Sequence, residues 1–345
     1  MSLADLFRTE LPIVQAPMAG VQGSALALAV SNAGGLGSLP CAMLTLEALR
    51  TEIAALAAGT RHPFGVNFFV HTPPVPSAER EAAWRAVLAP YYDEYGIDAS
   101  TIASGPGRMP FTAEAADVLD AYRPAVVSFH FGLPAAGLLA RVKSWGSKVI
   151  SSETTVDEAR WLERHGVDAI VAQGLEAGGH RGMFLTDDLT TQLGTMALVP
   201  QIVQAVRVPV IAAGGIADAR GVAAALALGA AGAQVGTAYL LCPEATTSAI
   251  HRAAIASDAS RHTAPTNLFT GRPARGIVNR LIRELGPMCG VVPAFPLAIS
   301  AIVPLRAKAE ARGSGDFSPL WAGQNASACR EHAAARITRE LASVA

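Results

Sequence analysis

Short apolar runs of strand length recur along the chain, most of them followed by a segment of helical pattern. The first run is Pro12-Ile13-Val14-Gln15-Ala16-Pro17-Met18, with a helix over 24–32 behind it. Gly35 to Leu39 follows with a helix over 45–58 that Thr45 caps, and then Phe64 to Phe69. A break of roughly forty residues comes next, longer than an ordinary connection, and reads as an excursion over one end of the fold. It holds Pro73, Pro74 and Pro76, a helix near 78–88 and a Gly-Pro-Gly turn at Gly105 to Gly107. The alternation resumes with Ala125 to Phe131, a helix over 135–144, Lys148 to Glu153, and a helix capped by Thr155 that ends near His165-Gly166. Ala169 to Ala172, Pro209 to Gly215, a helix from Asp218 to a stop at Gly229, and Gly232 to Thr237 complete the series.

Strands alternating with helices in this way predict a (β/α)₈ TIM barrel over 1–241. A doubly wound sheet is the competing architecture. Ala16-Pro17-Met18-Ala19-Gly20 carries no G-x-G-x-x-G after the first strand, which counts against it. Beyond Cys242 the alternation stops, and a mostly helical capping segment is expected over 242–315. A C-terminal helix returning to the barrel is expected within 316–345, mainly from Ser318 to Ser343. The apolar run from Val222 to Leu241 has the length of a membrane span, but its Ala and Gly content with Gln234 and Thr237 reads as a helix and then a strand.

Composition narrows the function. Hydrophobic residues are 51% and charged residues 16% of the chain, enough for a large interior. With a formal net charge of -1 and no basic block, neither nucleic acid nor an anionic membrane is an expected partner. Cys41, Cys242, Cys289 and Cys329 lack Cys-x-x-Cys spacing and read as free thiols in a reducing compartment. Met1-Ser2-Leu3-Ala4-Asp5 shows no basic start before an apolar core, so a cytoplasmic protein is expected. Asn325-Ala326-Ser327 matches a glycosylation acceptor only by chance on that reading.

Barrel ligands bind at the C-terminal ends of the strands. Those ends carry Gln15 to Met18, Asn67, His130, Ser151 to Glu153, Gln173, Gly214-Gly215 and Gly236-Thr237. The set is rich in amides and lacks the paired carboxylates of glycoside hydrolysis, since Glu153 and Glu176 have no acidic partner by position. It also lacks a metal-ligand cluster. The glycines after the last two strands suit a phosphate held by bare N–H groups. After the sixth strand comes Gln173 to Gly182, with an amide, glycines, His180 and Arg181, a stretch suited to ligand contact more than to packing. A phosphate beside a planar group that meets the Asn67 and Gln173 amides describes a flavin mononucleotide.

Gln15-Ala16-Pro17-Met18-Ala19-Gly20, Pro63-Phe64-Gly65-Val66-Asn67, Glu176-Ala177-Gly178-Gly179-His180-Arg181-Gly182, Ala213-Gly214-Gly215-Ile216 and Gln234-Val235-Gly236-Thr237 resemble the nitronate monooxygenase family. Thr270 to Gly276 and Ser318 to Gln324 resemble its C-terminal portion. The resemblance implies an FMN barrel without metal that oxidises alkyl nitronates, for example propionate 3-nitronate, with O₂ to a carbonyl compound and nitrite. Detoxification is the physiological role it implies, and homo-oligomer formation is left open. Ala16, Pro17, Met18, Asn67, Gln173, Gly178, Gly179, Gly214, Gly215, Gln234, Val235, Gly236 and Thr237 would hold the flavin. His180 would be the catalytic histidine, either as a donor or imidazolium against nitronate oxygens, or as the base toward a neutral nitroalkane. His130 is a second substrate-contact candidate. An NAD(P)H-dependent flavin reductase of enoyl thioesters or quinones on the same scaffold is the alternative. Trp321 is assigned to the flavin edge or to packing. Arg272 and Arg275 either solvate the cap or draw in an anion. His62, His71, His165, His251 and His262 are assigned to surface or turn positions, and Trp84, Trp145 and Trp161 to helix packing.

Overall fold

A computed structural model describes residues 2–103 and 108–343. In chain order its strands are β1 (Ile13–Gln15), β2 (Gly37–Pro40), β3 (Phe64–Phe69), β4 (Val126–His130), β5 (Lys148–Glu153), β6 (Ala169–Gln173), β7 (Gly179–His180), β8 (Val210–Ala213), β9 (Gly232–Val235), β10 (Thr263–Thr266) and β11 (Ala274–Ile277). Eight of them form one parallel sheet in the order β1-β9-β8-β6-β5-β4-β3-β2. Its two outer strands meet through a parallel bridge between Val14 and Leu36, where the Gln15 N–H donates to the Leu36 carbonyl at 2.9 Å. The sheet thereby curls into a TIM barrel.

The period of two along each strand decides what faces inward. On β6, Ile170 and Ala172 pack outward among helix residues such as Leu162, Leu198 and Ile202, whereas Ala169 and Val171 face the barrel axis. The same alternation sends Gln173, Asn67, Ser128, His130 and Gln234 into the barrel mouth. The opposite end is stoppered by a short helix over Leu3–Phe7 that the hydrophobic pattern left unassigned. Ser2 and Asp5 form its capping box, and Leu3, Leu6 and Phe7 join Val14, Val126, Ile150 and Ile211 in the interior cluster.

Helix starts follow the expected chemistry. Thr45, Thr155 and Asp218 each accept a backbone N–H from three residues on, and the helix after Asp218 ends before Gly229 with φ +95°. A helix over Thr195–Ala205, also unassigned by the pattern, fills the gap between β6 and β8. The run from Val222 to Leu241 resolves into the end of the helix over Ala219–Ala227, then β9 and a 3₁₀ turn over Thr237–Tyr239. Among the described residues no helix is long and apolar enough to cross a membrane.

The excursion after β3 carries a helix over Ala78–Tyr95, longer than expected. Trp84, Leu88 and Tyr92 on this helix share a core with Ile302 and Leu305 on the helix over Ile299–Ala311, and the Tyr92 hydroxyl donates to the Ala301 carbonyl at 2.8 Å. The Gly105 to Gly107 turn lies outside the described residues. Two expectations need correction. The 242–315 segment also holds β10 and β11, which with β7 make an antiparallel sheet that pairs Ala274 with His180. The C-terminal helix is confined to Ala334–Leu341, because Pro319 and Gly323 break the run before it and 318–324 serves as an extended strap bridged from Trp321 to Gly276. That short helix does return to the barrel, where Thr338 and Tyr239 share a 2.9 Å hydrogen bond.

Candidate active site

The barrel mouth is a cavity floored by inward side chains and walled by glycine-rich strand ends. Ala16, Pro17, Met18, Asn67, His130, Gln173, Gly178, Gly179, His180, Gly214, Gly215, Gln234, Gly236 and Thr237 all line it. Val235 does not. One residue out of phase with Gln234, it packs outward with Ile13 and Leu26, and only its carbonyl acts locally, accepting the Ala16 N–H at 2.8 Å. The loop bearing Ala16 to Met18 is set by a buried amide pair. Gln15 donates to Gln22 at 2.7 Å, and the Gln22 carbonyl oxygen takes the Met18 N–H at 3.0 Å.

Gly214 and Gly215 turn sharply, with φ of +117° and +70°, which side chains other than glycine rarely tolerate. Among the described residues the N–H groups of Gly215, Gly236 and Thr237 make no hydrogen bond. The turn is fastened from outside by Asn325, whose amide donates to the Gly215 carbonyl at 3.0 Å. Gly178 sits under the strap: a Cβ there would lie 2.6 Å from both the Ala322 carbonyl carbon and the Gly323 nitrogen.

His180 stands on β7 inside an aromatic box. Phe69, Phe131, Phe295 and Trp321 surround its ring at centroid distances of 5.9, 6.0, 5.3 and 5.6 Å. Burial first, and then the positive charges of Arg108 and other cations nearby, hold its pKa well below the usual histidine value. Both effects favour the neutral ring over the imidazolium. Its Nε2 is 2.9 Å from the Thr270 hydroxyl, and that hydroxyl donates its only proton to the Arg272 carbonyl at 3.3 Å. With the Thr270 proton on the Arg272 carbonyl, the hydroxyl accepts from His180 Nε2, and Nδ1 is the ring nitrogen without a hydrogen-bond partner among the described residues.

His130 lies directly beneath. Its Nε2 donates to the His180 carbonyl at 3.2 Å while Nδ1 meets the Ser152 hydroxyl, and burial presses its pKa down to about 3. Both ring nitrogens are thus engaged by protein. Gln173 completes the support, donating to the same carbonyl at 2.9 Å and accepting the Gly182 N–H at 2.7 Å. Asn67 spends its amino group on Ser128 at 2.7 Å.

The arginines of the motif are fasteners. Arg181, fully buried, donates to the carbonyls of Gln173 and Gly174 at 2.6 and 2.8 Å and to Gln192 at 3.0 Å. Arg275 ties Leu175 to Thr263, and Arg272 reaches the Met183 carbonyl with its guanidinium 4.1 Å above the Phe131 ring. Neither of these two lines the cavity, and with Arg275 buried and Arg272 half-buried on protein carbonyls, neither is a freely solvated surface charge. Glu176 accepts from the Thr195 N–H and hydroxyl, holding the loop above β6. Glu153 is fully buried, with neither carboxylate oxygen hydrogen-bonded among the described residues. Burial and the nearby Glu158 raise its pKa well above the usual range, with Arg181 and the Thr155 backbone N–H, which approaches the carboxylate outside ideal hydrogen-bond geometry, acting the other way.

His62, His165 and His262 are exposed as expected. His71 and His251 are buried instead. His71 packs edge-on to Phe295 and bonds the Arg108 carbonyl at 3.0 Å, and His251 lines the cavity. Trp321 also lines it. Trp84 is buried in helix packing, and Trp145 and Trp161 pack against the barrel core. Ser151 and Ser152, at the expected end of β5, line the cavity as well, whereas Phe69, Arg108 and Gly323 are cavity residues that strand-end reasoning missed. Cys41, Cys242, Cys289 and Cys329 are free thiols.

A model of the nitronate monooxygenase family matches residues 1–343. Nitronate monooxygenase of Paraburkholderia phytofirmans is 42% identical over 99% of this chain and 93% of its own length. The Pseudomonas aeruginosa nitronate monooxygenase is 41% identical over 97% and 96%. Among solved structures, nitroalkane oxidase from Streptomyces ansochromogenes superposes with a TM-score of 0.89 at 39% identity, covering 99% of this chain and 97% of that one. FabK from Thermotoga maritima is more distant, with a TM-score of 0.73 at 28% identity over 99% and 94%. With the barrel, the glycine-walled mouth and the histidine on its antiparallel ledge in place, these likenesses make the chain an oxidoreductase belonging to the nitronate monooxygenase family.

Proposed function

We propose that the protein is an FMN-dependent nitronate monooxygenase that converts alkyl nitronates, propionate 3-nitronate among them, with O₂ into carbonyl compounds and nitrite. The observation that carries this reading is the placement of His180. His180 lines one cavity together with Gly215, Gly236 and Thr237, whose N–H groups make no hydrogen bond among the described residues. Two features support an FMN there: those N–H groups suit a phosphate, and Gly178 leaves no room for a side chain where the strap closes over the cavity. Asn67, Gln173 and the Ala16 to Met18 loop would hold the ring system. The residues at 242–315 act as the cap over this mouth.

A bound flavin supplies the electron acceptor and the site at which O₂ reacts. The chain does the rest. Phe69, Phe131, Phe295 and Trp321 keep water from the reacting carbon, and Thr270 fixes the tautomer of His180. With a neutral nitroalkane, His180 takes the α-proton at Nδ1. With a preformed nitronate no proton need be removed, and the neutral ring orients the substrate. The scaffold is shared with the FabK reductase, so the deciding experiment is anaerobic mixing of flavin-loaded protein. Bleaching of the visible flavin band by propionate 3-nitronate and not by NADH or NADPH supports the proposal. Rapid bleaching by NADH or NADPH alone overturns it in favour of a flavin reductase. The expected cytoplasmic location is tested by fractionation.

A further inference from the structure

We propose that Arg108 holds the anionic head of the substrate and that the apolar cleft beyond it takes the substrate's tail, so that the preferred substrates carry an extended unbranched alkyl chain. This rests on the nitronate reading and adds a substrate class to it. A neutral His180 leaves the charge of a nitronate without a counterion from that ring. Of the arginines around the site, Arg181, Arg272 and Arg275 are all bonded to main-chain carbonyls. Among the described residues the Arg108 guanidinium has no hydrogen bond or salt bridge, and it lies 5.8 Å from the centroid of Phe69, itself 5.9 Å from His180. Its backbone is held in place, because the His71 ring bonds the Arg108 carbonyl and the Phe111 N–H donates to the Phe69 carbonyl at 2.8 Å. Burial lowers its pKa to about 10, which leaves it charged at neutral pH.

Arg108 also lines a second space of about 710 Å³ between the loop after β2 and the helix over Ile299–Ala311, within the range of small-molecule sites. Thr270, which touches His180, forms part of the same wall. Met43, Leu46, Met109 and Val303 face this space while 53%, 39%, 59% and 51% exposed, so that four of the nine exposed large apolar side chains among the described residues gather there. Glu114 and Arg306 are the charged residues besides Arg108 along it, and Arg306 is paired with Glu310. An anion at Arg108 with an apolar tail running along Met43 and Val303 satisfies both features.

The test separates binding from turnover. Straight-chain alkanoates from acetate to octanoate are planar, unreactive anions that mimic a nitronate head, and calorimetry on the flavin-loaded protein measures their affinity. From butanoate onward each methylene should tighten binding about three- to fourfold, equivalent to about 0.8 kcal/mol per buried CH₂. Arg108→Gln should weaken every chain length by about tenfold or more, a loss within the range for a charge-assisted bond. Arg108→Lys should recover part of it, and Val303→Trp should flatten the chain-length trend beyond butanoate. Affinity independent of chain length, or unchanged by Arg108→Gln, overturns the inference. Nitrite release from hexyl nitronate against ethyl nitronate should follow the same order. If no nitronate yields nitrite while alkanoate binding behaves as stated, the reaction assignment fails and the tail site stands.

Discussion

Replacing Gly178 by alanine is the sharpest structural perturbation of the cofactor wall. The added carbon would sit 2.6 Å from two backbone atoms, the Ala322 carbonyl carbon and the Gly323 nitrogen, and 3.0 Å from the Ala322 Cα. Backbone cannot rotate away as a flexible side chain can, so the strap must shift. It is pinned by the Gly323 N–H on the Thr237 hydroxyl at 3.0 Å and the Gln324 N–H on the Glu176 carbonyl at 2.9 Å. Overpacking of this kind costs about 1–3 kcal/mol. If the cost falls on the cofactor-binding geometry, FMN affinity drops by about 5- to 150-fold, at about 1.4 kcal/mol per factor of ten. Titration of the apoprotein with FMN, followed by flavin fluorescence, reads this directly. Gly137→Ala is the control, because a Cβ on that helical glycine meets nothing within 4 Å. Wild-type FMN affinity in Gly178→Ala would show that the strap is not part of the cofactor wall.

Glu153→Gln tests the buried carboxyl. Its folded-state pKa is raised above 4.5, so between that pH and the folded pKa the unfolded chain releases a proton that the native chain keeps. Wild-type stability then falls as pH rises, by up to about 1.4 kcal/mol per pH unit. Urea unfolding should show the variant gaining on wild type from pH 5 to pH 8; parallel pH dependences would refute the assignment. Thr270→Val removes the partner of His180 Nε2 without touching the flavin wall, and should lower kcat/KM about 2- to 12-fold, the equivalent of 0.5–1.5 kcal/mol, with FMN affinity unchanged. Leu3→Ala should destabilise the barrel by about 2–5 kcal/mol in chemical denaturation, since Leu3 is buried in the interior cluster and sits where a Cβ on Gly232 would collide with it.

The barrel was legible because its strands obey a simple period and end in residues unsuited to packing. Gln173 after Ile170-Val171-Ala172 is an example: two periods past Ala169, it had to face the axis. Val235 shows the limit, since a motif quoted as a block hides the alternation that turns one member away. The ledge that carries His180 was invisible for a different reason. β7 has two residues, too short to show any period, and its partner β11 lies about a hundred residues on in a segment read as helical. His71 and His251 are buried, and Arg108 lines the barrel mouth, through contacts with residues distant in sequence, and no local pattern encodes such contacts. Asn325 stands out in the sequence only through a chance glycosylation pattern, although its amide holds the Gly215 turn.

The central claim is that a flavin in this glycine-walled mouth, facing a neutral His180, oxidises nitronates. Aerobic nitrite release by the FMN-loaded protein with propionate 3-nitronate tests it most directly. Steady nitrite formation that consumes O₂ and falls sharply in Gly178→Ala at limiting FMN is the predicted result. A protein that binds FMN yet forms no nitrite from propionate 3-nitronate or any alkyl nitronate would contradict it.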